Sequence, residues 1–167
     1  MAKLKPARLV DLDDIISNQI IGDDPELIAL VMRIHLALEA LLIETIHTID
    51  PGDRVYGLNF PQKTELLAST GLITAGAKQA FDAFNAFRNH FAHVFGHKVT
   101  LPELLSLARS LEQHGIDFSD SVGHYSPEIA SEYYGGSEGV LAEIGWCLLF
   151  DAAEYLREAG GREITTA

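Results

Sequence analysis

The sequence predicts an all-α fold, a helical bundle of about five helices, and three observations carry that prediction. Several stretches place apolar residues three and four apart, the repeat of an amphipathic helix. Helix-start residues precede most of these stretches and glycines follow them. No run alternates apolar and polar residues for long enough to argue for a sheet.

In chain order, residues 1–22 form an N-terminal extension in which Leu9, Val10, Leu12, Ile15 and Ile16 fall near helical spacing, suited to packing as an extra helix. Residues 23–161 read as a single domain and 162–167 as a tail. Asp24-Pro25-Glu26 supplies an N-cap, a proline at the first helical position and an acid in the first turn. The helix that follows runs from Leu27 to about Ile46, with Leu27, Val31, Ile34, Leu38, Leu41 and Thr45 in one stripe. Leu30, Ala37, Ala40 and Ile43 make much of its remaining surface apolar, so it is expected at the centre of the bundle. Pro61 to Ser69 reads as a short helix closed by Gly71, and Thr74 caps a longer helix reaching about Phe95. Phe81, Phe84, Phe87 and Phe91 form the apolar stripe of that helix. Thr100 with Glu103 fits a capping box for a helix to about Gln113. Residues 115–136 are the least regular segment, read as a loop, lid or interface arm with a structural rather than a catalytic role. Ser137 is expected to cap a final helix whose Val140, Leu141, Ile144, Leu148, Ala152, Tyr155 and Leu156 face inward, closed by Gly160-Gly161.

A chain of 167 residues, nearly half apolar, is long enough to bury a substantial core. Its start lacks an apolar run of signal-peptide length and no later run reaches a membrane span, so a soluble, cytoplasmic protein without membrane contact is expected. The single cysteine, Cys147, has no cysteine to pair with inside the chain and is expected as a small buried hydrophobe beside Trp146, Leu148 and Leu149. The net charge of −12 weighs against broad binding of duplex DNA, which needs clustered Lys and Arg, and no helix-turn-helix or zinc-finger pattern is present. The charge is unevenly spread. Residues 1–100 hold nine Lys or Arg against twelve acids, whereas residues 101–161 hold only Arg109 and Arg157 against eleven. A small cleft for one or two phosphates remains compatible with the nearly balanced first half.

The chemistry-bearing stretch is Arg88-Asn89-His90-Phe91-Ala92-His93. Arg88 falls at the edge of the phenylalanine stripe, while Asn89 and His93 lie one turn apart on a polar face beside it. Gly96 is a natural stop, which sets His93 near the negative end of the helix dipole; the dipole favours its protonated form and Arg88 opposes it. A purely structural reading pairs Arg88 with an acid such as Glu39 or Glu44 and makes His93 a helix-end cap. A metal reading would join His90, His93 and His97, but only if the helix ran past Gly96, and no acid lies between Asp82 and Glu103 to complete it. No metal site is therefore expected. His35, His47, His114 and His124 read as ordinary polar residues.

Arg-Asn-x-x-Ala-His at the end of a long helix resembles the signature of the HEPN superfamily of helical-bundle proteins. The flanking Lys63-Thr64-Glu65-Leu66-Leu67, Gly71-Leu72-Ile73 and Val99-Thr100-Leu101-Pro102-Glu103-Leu104 make the chain similar to the mannitol operon repressor branch, over roughly residues 27 to 110. The resemblance implies a homodimer whose two motifs face a common cleft. It also implies metal-independent RNA cleavage of the toxin or defence type, with Arg88, Asn89 and His93 as the catalytic set and no cofactor. The partners implied are a second copy, an RNA substrate and a protein regulator or antitoxin. The alternative implied by the repressor branch is a non-catalytic transcriptional regulator or protein-interaction protein. Members controlled by nucleotidylation carry a tyrosine two residues beyond the histidine; here that position is Phe95, so such control is not expected.

Overall fold

The computed structural model describes residues 26–90 and 98–164 with their side chains, and the backbone of 25 and 91–93 besides. The helix expected within residues 1–22 lies outside the described residues, as do Phe95, Gly96 and His97. Among the described residues there are six α-helices and no strand. They are α1 (Pro25–His47), α2 (Phe60–Ser69), α3 (Ala75–His93), α4 (Leu101–Gln113), α5 (Pro127–Tyr134) and α6 (Ser137–Glu158). None of them is long and apolar enough to cross a membrane.

Most of these helices begin where a side chain takes over an unsatisfied backbone N–H. At α2, Asn59 Oδ1 accepts from the Gln62 N–H at 3.0 Å and Gln62 Oε1 accepts from the Asn59 N–H at 2.9 Å, a full capping box. Thr74 Oγ1 accepts from the Ala77 N–H at 3.1 Å ahead of α3. Thr100 and Glu103 form the expected reciprocal box on α4, with Glu103 Oε2 accepting from the Thr100 N–H at 2.8 Å. Thr100→Ala removes half of that exposed box and is expected to lower stability by about 1 kcal/mol. Urea melts with an unchanged slope would measure it, and an unshifted midpoint would show that the box contributes nothing.

The 115–136 segment is more ordered than its composition indicates. It contains a short 3-10 turn, Val122–His124, followed by α5. Ser126 Oγ accepts from the Ile129 N–H at 3.3 Å at the start of α5, and Gly135, at φ 78°, closes it. Ser137 does not cap α6. It is the first helical residue, and the cap position belongs to Gly136 at φ 110°, which offers no side chain. The cause is conformational, since the cap backbone at φ 110° is one that L side chains rarely adopt; three residues on, a Cβ at Gly139 would stand 1.8 Å from the Tyr134 carbonyl oxygen. The turn from α5 into α6 thus selects glycine by backbone conformation at Gly136 and by space at Gly139.

The core lies among α1, α2, α3, α4 and α6, with Phe81, Phe84, Leu38, Leu67, Leu104, Leu111 and Ile144 sealed from solvent. On α1 the inner stripe continues through Leu42 and Ile46, while the expected Leu41 is only half-buried. Steps of three and of four from Leu38 both keep a helical face, and packing selects the second. The remainder of α1 is not enclosed: Leu36 and Ala40 are exposed, so the helix is flanked on one side rather than surrounded. Buried Thr45 satisfies its hydroxyl by donating to the Leu41 carbonyl at 2.8 Å. α1 and α6 run side by side in the same direction, with Ile34 seated on Gly145 near one end and Glu44 paired with Arg162 beyond the other. The expected tail thus begins with a residue that clasps α1.

Candidate functional site

α1, α2 and α3 bring a group of polar side chains together where their packed faces meet. His35 and Glu39 come from α1, Lys63 from α2, and Asn85, Arg88 and Asn89 from α3. His35, only 5% exposed, meets Asn85 Oδ1 through Nε2 at 2.9 Å and lies against the Phe60 ring with centroids 4.9 Å apart. Because an amide oxygen only accepts, Nε2 carries the proton, and Nδ1 is left buried without a partner among the described residues. Burial lowers the affinity of this imidazole for a proton. The Asn85 bond opposes that, and nearby Arg88 and Lys63 press the same way as burial while Glu39 resists.

Lys63 is 3% exposed, and its ammonium donates to Glu39 Oε1 at 2.7 Å and to the Leu58 carbonyl at 2.6 Å. Glu44, for its part, receives two bonds from Arg162, each of 2.7 Å. The two acids that sequence reasoning offers to Arg88 are therefore both occupied by other cations. Arg88 is half-buried, its Nη1 donates to Asn89 Oδ1 at 2.9 Å, and its Nε is buried with no partner among the described residues. The neutral Asn89 amide orients the guanidinium without cancelling its charge.

Of the three expected catalytic residues, the structure brings Arg88 and Asn89 together. His93 is the last residue of α3, one helical turn beyond Asn89, and its side chain lies outside the described residues. His35, Asn85 and Lys63 were not expected in this cluster. Asn85 alone left a signal, a polar residue one position from Phe84 inside the aromatic stripe. His124 bonds Glu112 at 2.6 Å, an exposed surface contact. Cys147 is less buried than expected: midway along α6 it packs half-buried against the core, its Sγ 3.5 Å from Glu143 Oε1, with burial and then that carboxylate pushing the thiol up to about 12. Among the described residues no three His, Cys, Asp or Glu side chains gather as a metal ion would require.

His35 gives the fold a pH dependence whose sign follows from linkage. Its proton affinity is lower folded than unfolded, so acidification through the usual value of about 6.5 charges the unfolded chain first and stability falls as pH falls through that point. Replacing His35 with Gln keeps an amide near Asn85 but removes the titration. The variant is expected to lose less stability than wild type between neutral and mildly acidic pH; parallel curves would contradict a buried neutral imidazole.

Compared with known proteins, the chain matches no family model, no curated protein and no solved structure.

Proposed function

We propose that the C-terminal end of α3 is a phosphate-handling site and that the protein is a HEPN-like, metal-independent ribonuclease of toxin or defence type, acting as a homodimer. The observation that carries the reading is the state of Arg88: a half-buried guanidinium, oriented by Asn89, with no carboxylate partner among the described residues. Holding a cation partly out of water without an anion is unfavourable unless an anion is to be bound there. Arginine suits a phosphate because its planar fork donates two parallel hydrogen bonds.

The chemistry then divides between groups. A base takes the proton of the ribose 2′-hydroxyl, the 2′-oxygen attacks phosphorus, and the bond to the 5′-oxygen breaks as an acid protonates it. The products are a 2′,3′-cyclic phosphate and a 5′-hydroxyl. Arg88 stabilises the extra negative charge on the phosphorane, and His93 is of the type to move the protons near neutral pH. One histidine supplies one of the two proton-transfer groups, and a second copy related by a two-fold axis supplies the other. A protein antitoxin or regulator is the natural third partner.

The non-catalytic reading, a transcriptional regulator or protein-interaction protein similar to the mannitol operon repressor, is favoured by one feature, the net charge of −9 over residues 101–161. Expression in cells separates the two. Growth arrest with RNA breakage that disappears in Arg88→Ala and His93→Ala supports the nuclease, and unaffected growth with intact RNA supports the regulator. A monomer by light scattering at micromolar concentration would remove the composite site.

A further inference from the structure

The outer side of the α1–α6 pair carries an apolar groove of about 540 Å³, walled by Ala37, Ala40 and Leu41 on one helix and Trp146, Leu149 and Phe150 on the other. Small side chains on α1 facing large ones on α6 leave the space. Trp146 is 70% exposed and Phe150 49%, so two aromatic rings stand side by side in water, the kind of surface that marks a binding site. Glu44 and Arg162, which line one end, hold each other and leave the groove without net charge among the described residues. The same two rings wall an adjoining cleft of about 450 Å³, which also carries Asp117, Glu143, Asp151 and Glu154. Among the described residues only Glu154 of these four has a cation partner, Arg157. Asp151 shows the consequence: burial, and then the charges of Glu158 and Glu154, push its carboxyl up to about 6.

The spacing of these groups sets the shape of an occupant. Trp146 and Phe150 lie one turn apart on α6 and form a ridge with the apolar groove on one side and the acids on the other. Along α6 the acids extend from Glu143 to Glu154, roughly 16 Å at the helical rise, or about three turns. A helix laid along the ridge would set an apolar stripe in the groove and hold its flanking residues over those acids, the geometry of helix-in-groove recognition. Charge then decides what kind of helix it is. A nucleic acid would bring phosphates against unpaired carboxylates, and a second copy would bring its own acidic half, which carries −9 over residues 101–161. A cationic flank alone turns that field into an attraction.

We propose that the α1–α6 groove is the docking site for a basic amphipathic helix of a partner protein, with the apolar stripe of that helix on Trp146 and Phe150 and its lysines or arginines over Asp117, Glu143 and Asp151. The groove shares no residue with the polar cluster around Arg88, so it stands or falls independently of the nuclease reading. Trp146 is the single tryptophan of the sequence, and its fluorescence reports on the groove without a label.

The test titrates the intact wild-type protein with three synthetic peptides of about 18 residues, long enough to cover the three turns. One carries leucines at helical spacing flanked by lysines, the second the same leucines flanked by glutamates, and the third the residues of the first in an order that destroys the spacing. The lysine peptide is expected to shift Trp146 emission to the blue and shield it from acrylamide, saturably, while the other two bind at least about tenfold more weakly. Combining Asp117→Asn, Glu143→Gln and Asp151→Asn is expected to weaken the lysine peptide by about tenfold or more. A Trp146 that does not respond, equal binding of the glutamate or the reordered peptide, or undiminished binding by the neutralised variant would overturn the proposal. Trp146 already shielded in the free protein would also overturn it, in favour of a second copy if the shielding fades on dilution and of another part of this chain if it persists.

Discussion

Phe84→Ala is expected to lower the stability of the fold by about 3 to 5 kcal/mol, the range for deleting a buried phenylalanine ring and leaving a cavity. Phe84 is fully sealed from solvent at the centre of α3, its ring centroid 6.2 Å from that of Phe87. Since whole domains are stable by only about 5–15 kcal/mol, one such change removes a large share of what holds the bundle together. Urea melts at constant slope give the number. Phe87→Ala, at a half-buried position on the same stripe, is expected to cost less. A loss below about 1 kcal/mol for Phe84 would show that the stripe is not the core face.

Arg88→Ala and His93→Ala are each expected to reduce RNA cleavage by a factor of about 10² to 10⁴, the usual weight of a charge-stabilising or proton-transferring group. Arg88→Lys is expected to be nearly as damaged, because an ammonium cannot reproduce the bidentate contact to a phosphate. Asn89→Asp is the more searching variant. It keeps the size of the side chain that accepts from Arg88 Nη1 at 2.9 Å but places a carboxylate there, which would neutralise Arg88 internally where the proposed function needs it to meet a phosphate. Activity is expected to fall in Asn89→Asp while the melting temperature holds or rises. Cleavage retained in Asn89→Asp or in His93→Ala would detach the chemistry from this helix.

The bundle was legible because its helices announce themselves by physics that acts over a few residues. The boxes at Asn59–Gln62 and Thr100–Glu103 and the spacing of the phenylalanines are all local. α5 was missed for the complementary reason. Eight residues are too few for a periodicity to show, although Ser126-Pro127-Glu128 repeats the start grammar of Asp24-Pro25-Glu26. Leu41 and Leu42 are indistinguishable by spacing alone, and only the packed neighbours decide between them. Of the polar cluster only Arg88 and Asn89 stood out in the sequence, and the pairings around them did not. Which cation takes Glu39 depends on where α2 lands on α1, a contact between residues 24 apart, and Arg162 reaches Glu44 from 118 residues away. His35 and Asn85, 50 residues apart, are joined by the same kind of long-range contact.

The central claim is tested most directly by incubating the purified wild-type protein with a broad panel of RNAs in EDTA and determining the chemistry of any new ends. The expected result is discrete cleavage, undiminished by the chelator, that leaves 2′,3′-cyclic phosphates and 5′-hydroxyls. An intact panel, or ends bearing 3′-hydroxyls and 5′-phosphates, would contradict it.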